Sequence, residues 1–152
     1  MYREISNKGF TLIELLIVIS IIAILALTIV PNFIGFDVDA KVVTSKTNLD
    51  TLRTRVQLFR AKEGRYPASL GELLSGVYFD AGIEKPYLEK LPKELISSKA
   101  GNDSFEDQRA NSALSGDGGW TYITDKAKVV IDHPDPLPDS WGEYAGQIPS
   151  SW

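Results

Sequence analysis

The chain of 152 residues has the length of one small domain with an appended segment, and 43% of its residues are hydrophobic, an ordinary fraction for a globular protein. Its net charge of −4 gives no basic surface of the kind that binds nucleic acid through phosphates, so nucleic acid is not expected as a partner. The lack of cysteine excludes disulfides, thiol nucleophiles and cysteine-based metal sites.

The hydrophobic residues are concentrated near the N-terminus, between Phe10 and Phe36. No residue from Leu15 to Phe36 is charged. A helix over this stretch would be about 33 Å long at 1.5 Å per residue, enough for the hydrocarbon core of a bilayer. The stretch also exceeds the ~7–15 apolar residues of a cleavable secretory signal. Basic residues precede it and acidic residues follow it, which predicts a cytoplasmic N-terminus and places the chain beyond residue 36 outside the membrane.

Glu14 lies inside this apolar segment and does not fit a plain membrane anchor. A charged side chain at the centre of a membrane helix costs about 2.5–3.5 kcal/mol on insertion scales. One interpretation is that Glu14 lies near the membrane surface and reaches the interface. The other is that its carboxylate meets a specific cationic partner.

Residues 9–19 resemble the processing motif of type IV prepilins and type II secretion pseudopilins. The motif consists of a short leader with basic residues, Gly before the cut, Phe after it, Glu five places into the mature chain, and an apolar helix. The resemblance implies that a membrane-embedded prepilin peptidase cuts between Gly9 and Phe10 and methylates the new amino group of Phe10. It further implies assembly with identical or related subunits into a helical filament, on an assembly platform in the inner membrane.

Physical chemistry supplies a reason for Glu14 in such a filament. The α-amine created by cleavage is normally cationic at neutral pH. Among packed apolar helices, neither that amine nor the Glu14 carboxylate tolerates being unpaired. We therefore expect Glu14 of one subunit to meet the amine of Phe10 of a neighbour, which would fix the stagger between helices as a buried polar residue fixes register in a coiled coil.

Helical periodicity continues beyond the apolar segment. Pro31 and Gly35 are expected to kink or loosen the helix, since Pro cannot donate a backbone N–H. A simple helix boundary is the alternative. The amphipathic half should end near Gly64, because Gly is favoured just past a helix C-terminus. Its apolar stripe consists of Val38, Val42, Leu49, Leu52, Val56 and Phe59.

Two segments after the helix also resemble major pseudopilins and their pilin relatives. Residues 64–74 predict a turn and a short helix, in which Ser69 and Glu72 have capping-box spacing. Residues 85–93 predict the loop that follows.

The rest of the chain predicts a small antiparallel sheet. Residues 96–117 are polar and predict an exposed loop. Residues 118–124 and 128–132 predict two strands that pack on the amphipathic half of the helix. The tail, residues 133–152, is Pro-rich and predicted to be irregular.

These elements predict an α+β, pilin-like fold with a long N-terminal helix packed on a small antiparallel sheet. The predicted segments are a leader (1–9), a transmembrane or filament-core helix (10–36), the amphipathic half of the long helix (37–63) and a globular head (64–152).

Signals for catalysis and cofactors are weak. No nucleophile elbow, phosphate-binding glycine loop or histidine-based metal motif occurs, so neither enzymatic activity nor a cofactor is expected. Asp132, Asp135 and Asp139 are weak candidates for calcium, since oxygen-rich loops bind that ion. The alternative is a solvated acidic tail.

The sequence therefore predicts a structural subunit of a type IV pilus or pilus-like filament, made as a single-pass inner-membrane precursor with its C-terminal domain outside. A pseudopilin of a type II secretion system is the alternative, and one chain does not separate the two. A membrane-tethered enzyme or binding domain is a third class, which would need none of Gly9, Phe10 or Glu14.

Overall fold

The chain divides between Asp37 and Val38 into two compact units. The computed structural model describes residues 9–29, 36–97, 103–109 and 112–152. The predicted kink at Pro31 and Gly35 falls outside the described residues and stays a prediction. Within the described ranges, no helix combines the length and the apolar character needed to cross a membrane.

The first unit contains helix α1, Leu12–Ile29, which has 18 residues and is rich in Leu and Ile. Every side chain described from residue 9 to residue 27 is exposed. The hydroxyl of Ser20 donates to the carbonyl oxygen of Leu16 at 2.7 Å, so this polar group is turned back onto its own helix. The first unit therefore presents an almost wholly apolar helical surface.

Helix α2, Phe36–Glu63, supplies the apolar face of the second unit. The predicted stripe is confirmed from Val42 onward, whereas Val38 is only half-buried. The helix is followed by Gly64 with φ +74°, whose N–H donates to the carbonyl oxygen of Arg60 at 2.9 Å, so the predicted end is also confirmed. The buried residues of α2 are Val42, Ser45, Leu49, Leu52, Val56 and Phe59.

In the described part of the chain, five short strands form two sheets. They are β1 (Val77–Asp80), β2 (Ile83–Pro86), β3 (Phe105–Gln108), β4 (Trp120–Ile123) and β5 (Lys128–Ile131). Strands β1 and β2 form an antiparallel hairpin, and the second sheet has the order β3-β4-β5. In that sheet β4 pairs antiparallel with β5, as predicted, and parallel with β3.

The predicted loop at residues 96–117 is wrong in part, because it contains β3. Only Phe105 of that strand is apolar, and two of its four residues are exposed, so the strand lacks an alternating hydrophobic pattern. The predicted loop at residues 85–93 is also wrong at its start, where Lys85 and Pro86 belong to β2.

The core lies between α2 and the β4–β5 hairpin. Trp120 and Tyr122 of β4 are fully buried, together with the apolar residues of α2. The indole N–H of Trp120 donates to the carbonyl oxygen of Pro92 at 2.7 Å, and the Tyr122 hydroxyl donates to that of Pro67 at 2.8 Å. Burial raises the pKa of Tyr122 to about 12. Both polar tips are thus satisfied inside the core.

The predicted capping box at the short helix α3, Gly71–Ser75, has a different arrangement. Ser69 Oγ accepts from the N–H of Gly71 at 2.9 Å, and Glu72 Oε2 accepts from the N–H of Ala68 at 3.1 Å. The two side chains each satisfy a free N–H near the helix start, but not reciprocally. The prediction that each of these side chains satisfies a free N–H is confirmed, whereas the reciprocal pattern of a capping box does not form, because the helix begins one residue later than the spacing assumed.

The tail has more structure than its proline content suggested. It forms two 3₁₀ helices, Asp139–Tyr144 and Pro149–Ser151, and Leu137 is buried in the core. The guanidinium of Arg53 donates to the carbonyl oxygens of Val129 at 3.2 Å and Trp152 at 2.5 Å. The tail is therefore part of the folded unit.

We expect a fragment comprising residues 37–152 to fold alone, because the stripe on α2 is buried within the second unit by β4, β5 and the tail. The fragment should be monomeric and give one cooperative thermal transition, monitored by near-ultraviolet circular dichroism. Aggregation at low concentration, or the loss of tertiary signal, would show that filament contacts are needed for folding.

Candidate assembly site

The predicted cleavage site lies immediately before α1. Gly9, Phe10 and Thr11 precede the first helical residue, Leu12. The Phe10 side chain is 82% exposed. No heavy atom lies within 4 Å of the position that a Cβ on Gly9 would occupy. The fold therefore does not itself require glycine at this position.

Thr11 and Glu14 form a capping box at the start of α1. The N–H of Glu14 donates to Thr11 Oγ1 at 3.2 Å, while the N–H of Thr11 donates to Glu14 Oε2 at 2.9 Å. The Thr11 hydroxyl also donates to Glu14 Oε2, at 2.9 Å. The signal for this cap, Thr followed three residues later by Glu before an apolar run, is present in the sequence but was not among the predictions.

The cap leaves part of the Glu14 carboxylate available. Both hydrogen bonds from Thr11 go to Oε2, and a carboxylate has about four acceptor positions on its two oxygens. Among the described residues none donates to Oε1, which can therefore accept from an added donor such as an ammonium group. A negative carboxylate in the first turn is also favourably placed relative to the helix dipole.

The surface around Glu14 is apolar and exposed. Leu12 is 82% exposed, Ile13 66% and Leu15 59%. Contiguous apolar surface of this extent marks contact with a membrane or with other protein. A carboxylate at one end of such a surface would be desolvated on contact and would then need a partner.

The three candidate calcium ligands do not come together as a metal cluster. Asp132 is buried, and its carboxylate accepts from the Ser115 hydroxyl and, at 3.0 Å, from the N–H of Gly116. Asp135 and Asp139 are exposed. Among the residues that the structure describes, no group of three or more His, Cys, Asp or Glu side chains could hold a metal ion.

Residues 6–30, which include Gly9, Phe10 and Glu14, match the family described as the prokaryotic N-terminal methylation motif. The type IV major pilin protein PilA of Myxococcus xanthus (strain DK1622) is 46% identical over 67 residues, 44% of this chain. The prepilin peptidase-dependent protein A of Clostridium perfringens (strain 13 / Type A) is 32% identical over 106 residues, 64% of this chain and 74% of that relative. The chain belongs to the type IV pilin and type II secretion pseudopilin family. The resemblance predicted from residues 9–19 is thereby confirmed.

A second branch of this pilin family is also represented. The type II secretion system core protein G of Pseudomonas aeruginosa is 31% identical over 93 residues, 57% of this chain. The chain spans 30% of the length of the M. xanthus pilin and 66% of that of the P. aeruginosa protein. These names describe pilin and secretion-system components rather than enzymes. No solved structure matches the chain.

Proposed function

We propose that this protein is the structural subunit of a type IV pilus or pilus-like filament and polymerises through its N-terminal helix. The observation that carries the proposal is the arrangement at the start of α1. A single carboxylate, Glu14, lies four residues after Phe10 on an otherwise apolar, exposed helix, with Oε1 open to a donor. A newly made amine on Phe10 of a neighbouring subunit is a donor of the required charge.

In this proposal the precursor is a single-pass protein of the cytoplasmic membrane, with residues beyond 36 outside. Prepilin peptidase removes residues 1–9 and methylates Phe10, and the assembly platform of the inner membrane feeds subunits into the filament. Membership in the pilin family supports a membrane-anchored precursor and a filament at the cell surface or in the periplasm. In this proposal the protein is a structural component of the filament and needs neither a catalytic group nor a cofactor.

We expect the assembled subunit to begin at N-methylated Phe10. N-terminal sequencing and intact mass measurement of sheared filaments would check this directly. Gly9→Val should block cleavage, and because the fold leaves open space at Gly9, such a block would reflect recognition by the peptidase. Recovery of chains beginning at Met1 from filaments would contradict the proposed processing.

A type II secretion pseudopilin is the second candidate, favoured by the similarity to the P. aeruginosa core protein G. The two functions differ in where and when filaments form. Long surface fibres at natural expression levels would support a pilus. Fibres that form only when a secretion system is overproduced would support a pseudopilin.

A further inference from the structure

An open cleft of about 410 Å³ lies between α2 and the β1–β2 hairpin. It is lined by three cations, Arg55, Lys85 and Lys90, but by only one acid, Glu89. Lys62 adds a fourth cation to the same region, since its Nζ lies 5.2 Å from the centroid of the Tyr78 ring, which also lines the cleft. Two acids lie beside it, since Asp80 accepts a hydrogen bond from Lys85 and Glu63 accepts one from Tyr87. The cleft, which we call the basic cleft, therefore keeps a small excess of cations in a chain whose net charge is −4.

The charges of the basic cleft are only partly balanced. Lys85 Nζ lies 2.7 Å from Asp80 Oδ2, and this hydrogen bond raises the pKa of Lys85 and lowers that of Asp80. Arg55 is half-buried, yet within the described part of the chain its guanidinium makes neither a hydrogen bond nor an ion pair. An arginine fork without an acceptor is suited to a carboxylate or a phosphate.

The tail carries three exposed acidic residues, Asp135, Asp139 and Glu143, which we call the acidic surface. This acidic surface is held in place by the backbone: the N–H of Leu137 donates to the carbonyl oxygen of Gln147 at 2.9 Å, and the N–H of Gly146 donates to that of Leu137 at 2.8 Å. Leu137 itself is buried. The three carboxylates are therefore presented by an ordered segment of the second unit.

The basic cleft and the C-terminal part of the tail contact opposite flanks of α2. Lys46 lies over the Trp152 ring at 4.1 Å, and Arg53 donates to the Trp152 carbonyl oxygen, so one flank holds the tail. Arg55 and Lys62 face the hairpin on the other flank. Residues two apart on a helix are separated by about 200° of rotation. Arg53, which holds the end of the tail, and Arg55, which lines the cleft, thus project from opposite sides of α2.

We propose that the acidic surface of one copy of this chain docks into the basic cleft of the next copy in the filament. Different surfaces meet in such a contact, so the contact is heterologous, and a heterologous contact that does not close into a ring builds a helical filament. Phe79 and Ile83 of the hairpin, 68% and 61% exposed, would lose water in the same contact. This inference rests on the proposed function, because it requires that copies of the chain polymerise.

Charge reversal in the full-length chain tests the contact. Arg55→Glu with Lys90→Glu, or Asp135→Lys with Asp139→Lys, should each lower the yield of sheared filaments at least about tenfold, because like charges at an interface cost several kcal/mol. All four substitutions together in one chain should restore most of the yield. Lys126→Glu with Lys128→Glu, two exposed cations elsewhere, is the matched control and should leave the yield unchanged.

Engineered cysteines test the same contact without reversing any charge. The chain has no cysteine of its own, so every cross-link must come from the introduced ones. A chain with both Lys90→Cys and Asp139→Cys should give a ladder of polymers with a short bismaleimide cross-linker. Filaments that mix the two single-cysteine chains should give dimers only, and either single-cysteine chain alone should give none.

The outcomes separate the two proposals. If wild-type chains form no filaments, the proposed function fails. If wild-type filaments form but the chain with both cysteines gives no ladder, or two copies of the Lys90→Cys chain become cross-linked, the heterologous contact is wrong while the proposed function stands. Normal filament yield from the Arg55→Glu, Lys90→Glu chain would overturn the contact in the same way.

Discussion

Replacing Glu14 with Gln is expected to abolish filament assembly while processing at Gly9 continues. The substitution removes the carboxylate that would meet the amine of a neighbouring Phe10, and breaking one partner of a buried ion pair typically costs about 3–5 kcal/mol. Membrane insertion should not suffer, since the bilayer disfavours the charge. Processing is followed by the mobility shift of the subunit, and assembly by the yield of sheared filaments in the absence of wild-type chain.

Because of the capping box, Glu14→Gln separates the effect of the charge from that of the cap better than Glu14→Ala does. Gln is also found at this helical position, N3, of a capping box, so it keeps the hydrogen bond from the N–H of Thr11 and loses only the charge. Thr11→Val is the complementary control, because it removes the cap hydroxyl and keeps the carboxylate. That change should cost about 1 kcal/mol of helix stability and reduce assembly only slightly.

The same two variants can contradict the hypothesis that Glu14 pairs with the amine of Phe10. If Glu14→Gln assembles normally while Thr11→Val does not, the carboxylate acts as a helix cap and sets no stagger. Glu14→Asp keeps the charge and shortens the reach, so it should give partial assembly if an amine is the partner.

The elements predicted correctly are those whose signals are local. The end of α2 was predicted from Gly64, whose positive φ of +74° suits a residue without a Cβ. The β4–β5 hairpin was predicted from two apolar runs separated by a short turn. Both runs are buried in the core, where Trp120 and Ile131 are directly opposite each other.

The missed elements lack such signals. The β1–β2 hairpin turns at Ala81 and Gly82, which both have positive φ, whereas the usual sequence signal for this turn is Asn or Asp before Gly. Strand β3 is polar and pairs in parallel with β4, so its place depends on a contact distant in sequence. The basic cleft depends on the same missed hairpin, since Tyr78 and Lys85 line it.

The burial of Glu94 could not be predicted from the sequence. It follows Pro92 and Lys93, a context typical of a solvated loop, yet it is 0% exposed. Its carboxylate accepts from the N–H of Ile96, from the N–H of Ser97 at 2.9 Å, from the Ser97 hydroxyl and, at 3.4 Å, from the N–H of Gly119. Only the tertiary arrangement of this loop beside β4 shows that these donors converge on Glu94.

Glu94→Ala is therefore expected to destabilise residues 37–152 by about 4 kcal/mol or to prevent folding, because each buried donor left without an acceptor costs about 1–3 kcal/mol. Glu94→Gln keeps the shape but turns an NH₂ group towards two of the donors, so it should cost about 2 kcal/mol.

Glu84→Gln, on an exposed position of β2, is the control and should change the free energy of unfolding by less than about 0.5 kcal/mol. Urea unfolding of the fragment followed by tryptophan fluorescence measures all three, since Trp120 lies next to the Gly119 donor. A wild-type unfolding midpoint for Glu94→Gln would mean that the donors find other acceptors and that the carboxylate does not organise this loop.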